Sequence, residues 1–289
     1  MSLFVIEGCG DVGSTIAHQL FNYSQPVLIT DHDRPAHLRR GMSFLDAYYQ
    51  SSSQLEGVSA KYFESIPKLL PKEVIICSIE LEQILDQCDV KVVINARMRK
   101  RDNPALPGWK NRYHSLLIGL GPGFISNINC DVAIETAWGD HLGNEAVGST
   151  KPQAGEPRPI EGLTRERLVY APTGGVWSTN KNLGDRVQAG DIVGNINDQI
   201  IKAPMAGSLR GISHHHAQIR EGHKIIEIDP SGTSQIYGLG ERPQKIAKGV
   251  IHALQKEGLT LNLSATNCYL IDVPSPPSGK VVVAGTLPF

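Results

Sequence analysis

Short apolar runs rich in β-branched residues recur through residues 3–136, and such runs are typical of strands buried on both faces. They predict strands at LFVI (3–6), VLITD (27–31), VSAKYF (58–63), VIICSI (74–79), VKVVINA (90–96), SLLIGL (115–120) and DVAIET (131–136). Amphipathic stretches between them predict helices at 14–21, 35–49 and 81–87. Because strand and helix alternate, we expect an α/β domain with a mostly parallel sheet.

A glycine motif follows the first predicted strand. Gly8, Gly10 and Gly13 stand as G-x-G-x-x-G between a strand and a helix, the arrangement that brings a pyrophosphate to a helix N-terminus. Asp31 ends the second strand, at about the spacing of an acid that binds a ribose hydroxyl. This acid favours NAD over NADP, although Arg34 lies nearby. A Rossmann-like fold is predicted, and a glycine loop kept only for its turn geometry stays an alternative.

Two further residues lie inside this loop. Asp11 would repel a pyrophosphate unless its carboxylate turns away to cap the helix. Cys9 lies at a helix N-terminus, where the pKa of a thiol can be lowered, so it is a candidate to ligate molybdenum or accept sulfur. A buried, inert thiol is the alternative for Cys9.

A second glycine-rich loop follows the strand at 115–120. Gly119, Gly121 and Gly123 could offer N–H groups to an anion, which makes Gly121 and Gly123 candidate cofactor-binding residues. Pro122 has no N–H and stiffens the turn. A sharp structural turn is an equal alternative.

Polar residues follow the strand at 131–136. Glu135, Asp140 and His141 are candidate site groups because ligands bind at strand ends in α/β sheets. Glu135 and His141, with Cys9, are the candidate catalytic residues. Surface charge is the alternative, and we favour it for Asp140.

Residues 169–230 contain an internal repeat. Ala171-Pro172 returns as Ala203-Pro204, and the same offset of 32 residues relates Gly175 to Gly207 without a gap. Such self-similarity predicts two copies of one unit that pack together. The repeat resembles the biotinyl/lipoyl barrel-sandwich hybrid. The carrier-lysine motif of that family is missing, since Lys202 directly precedes the second Ala-Pro turn, so we expect a scaffold or docking surface.

Composition and charge argue against several classes of function. The formal net charge is -1, which gives no reason to expect binding to nucleic acid or to an acidic membrane. The five cysteines form no C-x-x-C pair, and no signal peptide or membrane-spanning run is recognised, so a cytoplasmic protein is expected. His214–His216 lack neighbouring ligands, so we predict no metal site.

These observations divide the chain into four parts. We expect a nucleotide-binding domain at 1–145, a linker at 146–168, the repeat at 169–230 and a C-terminal part at 231–289. That last part begins with a helix that runs from near Pro243 to Gly258, and its apolar stripe suits docking on the first domain. KVVVAG near the end predicts one more strand.

The order of these motifs resembles a known family. IGLGPGF, AIET with G-x-H-L-G, and G-x-K-I-x-E-I-D-P-x-G follow the first glycine loop. This order is similar to that of accessory proteins of the selenium-dependent molybdenum hydroxylase system (the YqeB-like family), which are distantly similar to XdhC-type maturation factors. The resemblance covers about residues 3–255. Trp138 and Ser231 stand where the family usually has arginine.

The resemblance implies an accessory or maturation factor for a molybdenum hydroxylase. It would bind a nucleotide, NAD or a related dinucleotide, or a dinucleotide-type molybdenum cofactor, and its partner would be the hydroxylase or its maturation machinery. An NAD-dependent oxidoreductase and a non-catalytic scaffold or sensor remain alternatives. Catalysis and oligomeric state are left open.

Overall fold

The computed structural model describes residues 3–99, 114–152 and 157–261. It is a mixed α/β structure with one large, mostly parallel sheet and two smaller antiparallel sheets. No helix in those three ranges has the length and apolar character needed to cross a membrane. The predicted strand KVVVAG lies outside the described residues.

The large sheet contains eight strands. They are β1 (Leu3–Glu7), β2 (Val27–Thr30), β3 (Ser52–Leu55), β4 (Val58–Tyr62), β5 (Val74–Cys77), β6 (Val90–Asn95), β7 (Leu116–Leu120) and β8 (Val132–Ile134). The spatial order is β3-β4-β5-β2-β1-β6-β7-β8. β3 and β4 pair antiparallel, and the other neighbours pair parallel. The carboxyl ends of β1 and β6 therefore meet where the strand order reverses direction.

Four α-helices accompany this sheet in the described residues. They are α1 (Asp11–Asn22), α2 (Ala47–Gln50), α3 (Leu81–Gln87) and α4 (Glu241–Lys256). The apolar face of α4, which includes Ile246 and Val250, shares one buried core with Ile16 and Leu20 of α1. The C-terminal helix thus packs on the first domain, and Gly258 follows it with a φ of +81°.

The helix predicted at 35–49 is wrong over most of its length. A 3-10 turn at Arg40–Met42 and the short α2 are the helical pieces found there. The carbonyls of Arg34 and Leu38 accept main-chain N–H bonds from Gln218 and Ile212 at 3.3 Å. These carbonyls bond outward to another part of the molecule and do not accept bonds within a helix.

We call residues 168–229 the repeat module. Its strands are β9 (Leu168–Tyr170), β10 (Gly175–Ser178), β11 (Arg186–Val187), β12 (Ile192–Ile196), β13 (Gln199–Lys202), β14 (Gly207–Ile212), β15 (Gln218–Ile219) and β16 (Lys224–Asp229). They form two four-stranded sheets, ordered β13-β12-β10-β15 and β11-β14-β16-β9.

The two halves of the repeat module exchange strands in matching registers. Gly175 pairs with Ile219, and the equivalent residue Gly207 pairs with Val187, the equivalent of Ile219. Each half therefore completes the sheet of the other, as two units that cannot bury their apolar faces alone should do. Trp177 is fully buried between them.

Candidate functional site

The three glycines of the first loop meet three different surroundings. Gly8 has a φ of +105°, and a Cβ there would lie 2.9 Å from the carbonyl oxygen of Ala96. A Cβ on Gly13 would overlap the carbonyl oxygen of Gly8. Gly10 differs, because a Cβ there would meet only the ring of His37, at 3.7 Å. Gly8 and Gly13 thus serve the turn and the helix packing, while half-buried Gly10 leaves room for a methyl group beside the His37 ring.

Gly10 is also the residue before the first turn of α1. The first N–H groups of a helix have no acceptor within the helix and give its N-terminus a partial positive charge. The Asp11 carboxylate accepts a bond from the N–H of Val12 at 3.0 Å. Its charge is therefore held at the start of the helix.

Asp31 is buried at the end of β2 and ties the loop in place. Its Oδ2 accepts the N–H of Cys9 at 2.7 Å and a bond from Nε2 of His37 at 2.8 Å, and its Oδ1 accepts the N–H of His32 at 2.8 Å. Burial alone would raise the pKa of Asp31, but the bonds to His37, Cys9 and His32 outweigh it and lower the pKa to about 2.

His37 was missed by the sequence analysis. Burial disfavours its charged form, but the hydrogen bond to Asp31 and the charges of Asp31 and Asp11 prevail and raise its pKa above the usual value. Nothing in the sequence indicates this contact, since residue 37 was expected on a helix. The raised pKa of His37 and the lowered pKa of Asp31 both favour the charged form of this pair.

Cys9 lies in the loop but is fully buried. Burial and the Asp31 carboxylate raise the pKa of this thiol well above its usual value, in the opposite direction to that expected at a helix N-terminus. The structure therefore favours the inert alternative. No group of His, Cys, Asp and Glu able to hold a metal ion occurs in the described part of the chain.

A second polar cluster lies at the carboxyl ends of β1 and β6. Glu7 is buried there, accepts a bond from Nδ2 of Asn95 at 2.9 Å, and pairs with Nη2 of Arg97 at 3.1 Å. Burial raises the pKa of Glu7 although the Arg97 charge opposes it. The buried Nε of Arg97 has no hydrogen-bond partner in the described ranges. Sequence reasoning missed this cluster because its members come from strands far apart in the chain.

The second glycine loop is filled by protein. A Cβ on Gly119 would overlap the Phe124 ring, and one on Gly121 would lie 3.3 Å from Sδ of Met98. The Thr150 hydroxyl donates to the carbonyl of Gly121 and accepts the N–H of Phe124 at 3.1 Å.

The next turn of this loop is closed by Asn129. Its amide donates to the carbonyl of Gly123 at 2.9 Å and accepts the N–H of Ile125 at 2.7 Å. These contacts are typical of a structural turn, the alternative reading for Gly121 and Gly123.

The three candidates after β8 separate in the structure. Glu135 is buried, and its carboxylate accepts the N–H groups of Thr136, Ala137 and Lys151, each at 2.8 Å. This bonding holds the loop and is typical of a structural carboxylate. Asp140 and His141 are exposed.

Arg242, on the first turn of α4, adds positive charge close to the same strand end. Its Nε donates to the carbonyl of Thr136 at 2.8 Å. Burial lowers its pKa, and the charges of Asp11 and Glu135 oppose that shift.

Glu227 joins the repeat module to the first domain. It is buried and pairs with Arg39 of the first domain at 2.9 Å, with Arg210 at 2.7 Å and with the fully buried Arg167. Burial would raise its pKa, but the three guanidinium groups lower it to about 2.

The remaining candidates in the repeat module take structural positions. Lys202 is exposed at the end of β13, whereas Asn197 and Asp198 form the tip of the β12–β13 hairpin. His214 stacks on Tyr49, with ring centroids 3.9 Å apart. Nδ1 of His215 accepts the N–H of Thr179 at 3.1 Å.

Comparisons with known proteins place the chain beside one curated relative. It is 31% identical over 258 residues to "Uncharacterized protein YqeB" of Escherichia coli (strain K12). The match covers 87% of this chain and 47% of that protein, so the chain spans about half the length of its relative. The name agrees with the resemblance found in the sequence and carries no information on function.

No protein-family model matches the chain. Two solved structures align weakly with it. The ectoine utilization protein EutE (DoeB) from Ruegeria pomeroyi is 12% identical over 78% of this chain and 84% of its own, with a TM-score of 0.23. An aspartoacylase family protein from Mesorhizobium loti is 10% identical over 79% of this chain and 85% of its own, with a TM-score of 0.24. Scores this low support no argument.

Proposed function

We propose that the chain binds the diphosphate of a nucleotide at the first glycine loop, as NAD or as the dinucleotide form of a molybdenum cofactor. The observation that carries this proposal is Gly10, directly before the first turn of α1, where a Cβ would meet only the His37 ring, at 3.7 Å. A phosphate there would lie at the positive N-terminus of α1 and take the place of the Asp11 carboxylate as acceptor of the Val12 N–H, with that carboxylate turned away.

The topology supports this location. The series β5-β2-β1-β6-β7-β8 corresponds to the strand order 3-2-1-4-5-6 of the Rossmann fold. The loop after β1 lies at the point where that order reverses, which is where ligands bind in such sheets. Arg97 follows the neighbouring strand β6, and its buried Nε, which has no hydrogen-bond partner among the described residues, adds a donor suited to an anion.

The residues present fit a dinucleotide in part. Gly10 and α1 would hold phosphate, and Oδ1 of Asp31 accepts one bond, from His32, which leaves it a lone pair for a ribose hydroxyl. The carboxylate disfavours a 2′-phosphate, and Arg34 is exposed beside it. Because Cys9 is buried with a raised pKa, we assign no molybdenum-ligating role to it.

We further propose that the chain acts as an accessory factor for a molybdenum hydroxylase, on the strength of the motif resemblance. The repeat module would then be its docking surface. Large apolar side chains are exposed on its neighbouring strands, with Ile192 at 57% and Ile200 at 56%. Its hairpin tip carries no lysine, which argues for docking rather than for a carrier arm.

The test begins with native mass spectrometry of gently purified protein, to identify any retained nucleotide. Binding of NAD, CDP-choline and GDP-mannose is then measured by calorimetry, because these three share a diphosphate and differ in base. Binding of none of them would overturn the proposal. Turnover of a small alcohol or hydroxy acid with NAD would favour the oxidoreductase instead.

The decisive variant is Gly10→Asp. Residue 10 has φ -71° and ψ -178°, which any residue adopts, so the variant should fold. Its carboxylate would occupy the helix N-terminus and repel a diphosphate, so we expect affinity to fall by about 100-fold or more. Gly10→Ala is the matched control, since its methyl group has room and carries no charge.

A further inference from the structure

His37 lies at the mouth of the first glycine loop. Its Nε2 bonds to Asp31 at 2.8 Å. Its Nδ1 lies 3.7 Å from the point that a Cβ of Gly10 would occupy, which is the side from which a ligand would approach. In the described ranges this Nδ1 has no hydrogen-bond partner, so one ring nitrogen is engaged and the other is available.

The repeat module holds the backbone on both sides of His37. The N–H of Ile212 donates to the carbonyl of Leu38 at 3.3 Å, and the Ser213 hydroxyl contacts the carbonyl of Ala36 at 3.5 Å. Both donors belong to the end of β14 and the residue after it. His37 is therefore placed over Gly10 by a part of the chain more than 170 residues away.

Charged and titratable groups face His37 from three directions. Asp31 faces it from the end of β2, Asp11 from the start of α1, and His223 from the turn between β15 and β16. The two carboxylates favour the imidazolium, whereas a positive charge on His223 would oppose it. In the imidazolium both ring nitrogens carry hydrogen, so Nδ1–H can donate while Nε2–H stays on Asp31.

We propose that His37 is a ligand-binding residue whose Nδ1–H donates to a diphosphate oxygen of the nucleotide held at Gly10. This inference rests on the proposed function and adds a chemical condition to it. Binding is strongest when His37 is charged and weakens as pH rises and His37 loses its proton. The repeat module then contributes to nucleotide binding by holding this side chain in position.

The experiment is calorimetric titration with NAD between pH 5.5 and 9, since its diphosphate keeps the same charge throughout that range. If NAD binds too weakly, CDP-choline and GDP-mannose serve as probes for the same reason. We expect affinity to fall roughly tenfold across the titration of His37, the size of one charge-assisted hydrogen bond. Adenosine, which has no phosphate, should show no such fall.

Variants separate a binding role from a structural one. His37→Gln should bind roughly tenfold more weakly at pH 6 and lose the pH dependence. His32 is an exposed histidine in the same segment, and His32→Gln should keep both the affinity at pH 6 and its pH dependence. Asp31→Asn removes the acid that holds the proton on His37, so the midpoint of the profile should move to lower pH.

A flat wild-type profile, with Gly10→Asp still abolishing binding, would overturn the role of His37 and leave the proposed function standing. A midpoint that Asp31→Asn does not move would show that another group titrates, and would also overturn it. No binding of any probe at any pH would overturn the proposed function itself.

Discussion

The two glycine-rich loops of the large sheet look alike in sequence and differ in structure. At the first loop, a Cβ on Gly10 would meet only the His37 ring, at 3.7 Å, beside the start of α1. At the second loop, the Phe124 ring fills the space at Gly119, and the Thr150 hydroxyl is bonded to the turn. A glycine pattern therefore indicates that other atoms approach the backbone closely. Whether those atoms belong to a ligand or to the protein itself depends on the surrounding residues.

The largest effect on stability is expected at the second loop. In Gly119→Ala the new methyl group overlaps the Phe124 ring, which must leave its buried position. We expect the free energy of unfolding to fall by about 3 kcal/mol, as measured by urea denaturation. Gly10→Ala should change the free energy of unfolding little. Equal losses in Gly119→Ala and Gly10→Ala would contradict the difference between the two loops.

Removing the hydrogen bonds that the Thr150 hydroxyl makes in the second loop should lower the free energy of unfolding by less. Thr150→Val keeps the side-chain shape and leaves the carbonyl of Gly121 and the N–H of Phe124 without the hydroxyl. We expect a loss of about 2 kcal/mol, with the nucleotide affinity unchanged. Thr150→Ser, which retains the hydroxyl, is the control, and a loss of affinity in Thr150→Val would give the second loop a binding role.

The smallest expected effect is on how stability depends on pH, which should differ between variants of the two loops. The pKa of Asp31 is lowered to about 2, so its stabilising contribution is present above its unfolded pKa of about 4 and is lost as pH falls towards 2. The pKa of His37 is raised, so its contribution is present below about 6.5 and is lost as pH rises through the raised value.

The Tm difference between wild type and Asp31→Asn should accordingly be largest near pH 5 to 6 and shrink on both sides. The groups that the Thr150 hydroxyl bonds in the second loop are neutral. The Tm difference between wild type and Thr150→Val should therefore stay constant over the same range. The same pH dependence of the Tm difference in both variants would contradict the assigned contacts.

Local patterns predicted much of the architecture. The apolar runs located most strands of the large sheet, and the constant offset between Ala171 and Ala203 predicted a module of two interlocking halves. These features depend on residues close in sequence or on exact repetition. Gly8 and Gly13 of the first loop likewise take the turn and helix-packing positions that their spacing indicates.

Contacts between distant parts of the chain were not predictable in this way. The helix expected at 35–49 forms only in short pieces, and the repeat module bonds to the carbonyl of Leu38 within this segment. His37, in the same segment, reaches Asp31 instead of lying on a helix. Glu7 and Arg97 meet only because β1 and β6 are neighbours in the sheet, an adjacency that neither strand encodes alone.

We infer that the first loop, and not the second, receives the diphosphate. The most direct test is an NMR titration of protein labelled with ¹⁵N-glycine, using the nucleotide that binds best in the calorimetric panel. We expect large shifts of the Gly10 and Gly13 amide signals and little change at Gly119, Gly121 and Gly123. Shifts centred on the second loop, with the first loop unchanged, would contradict it.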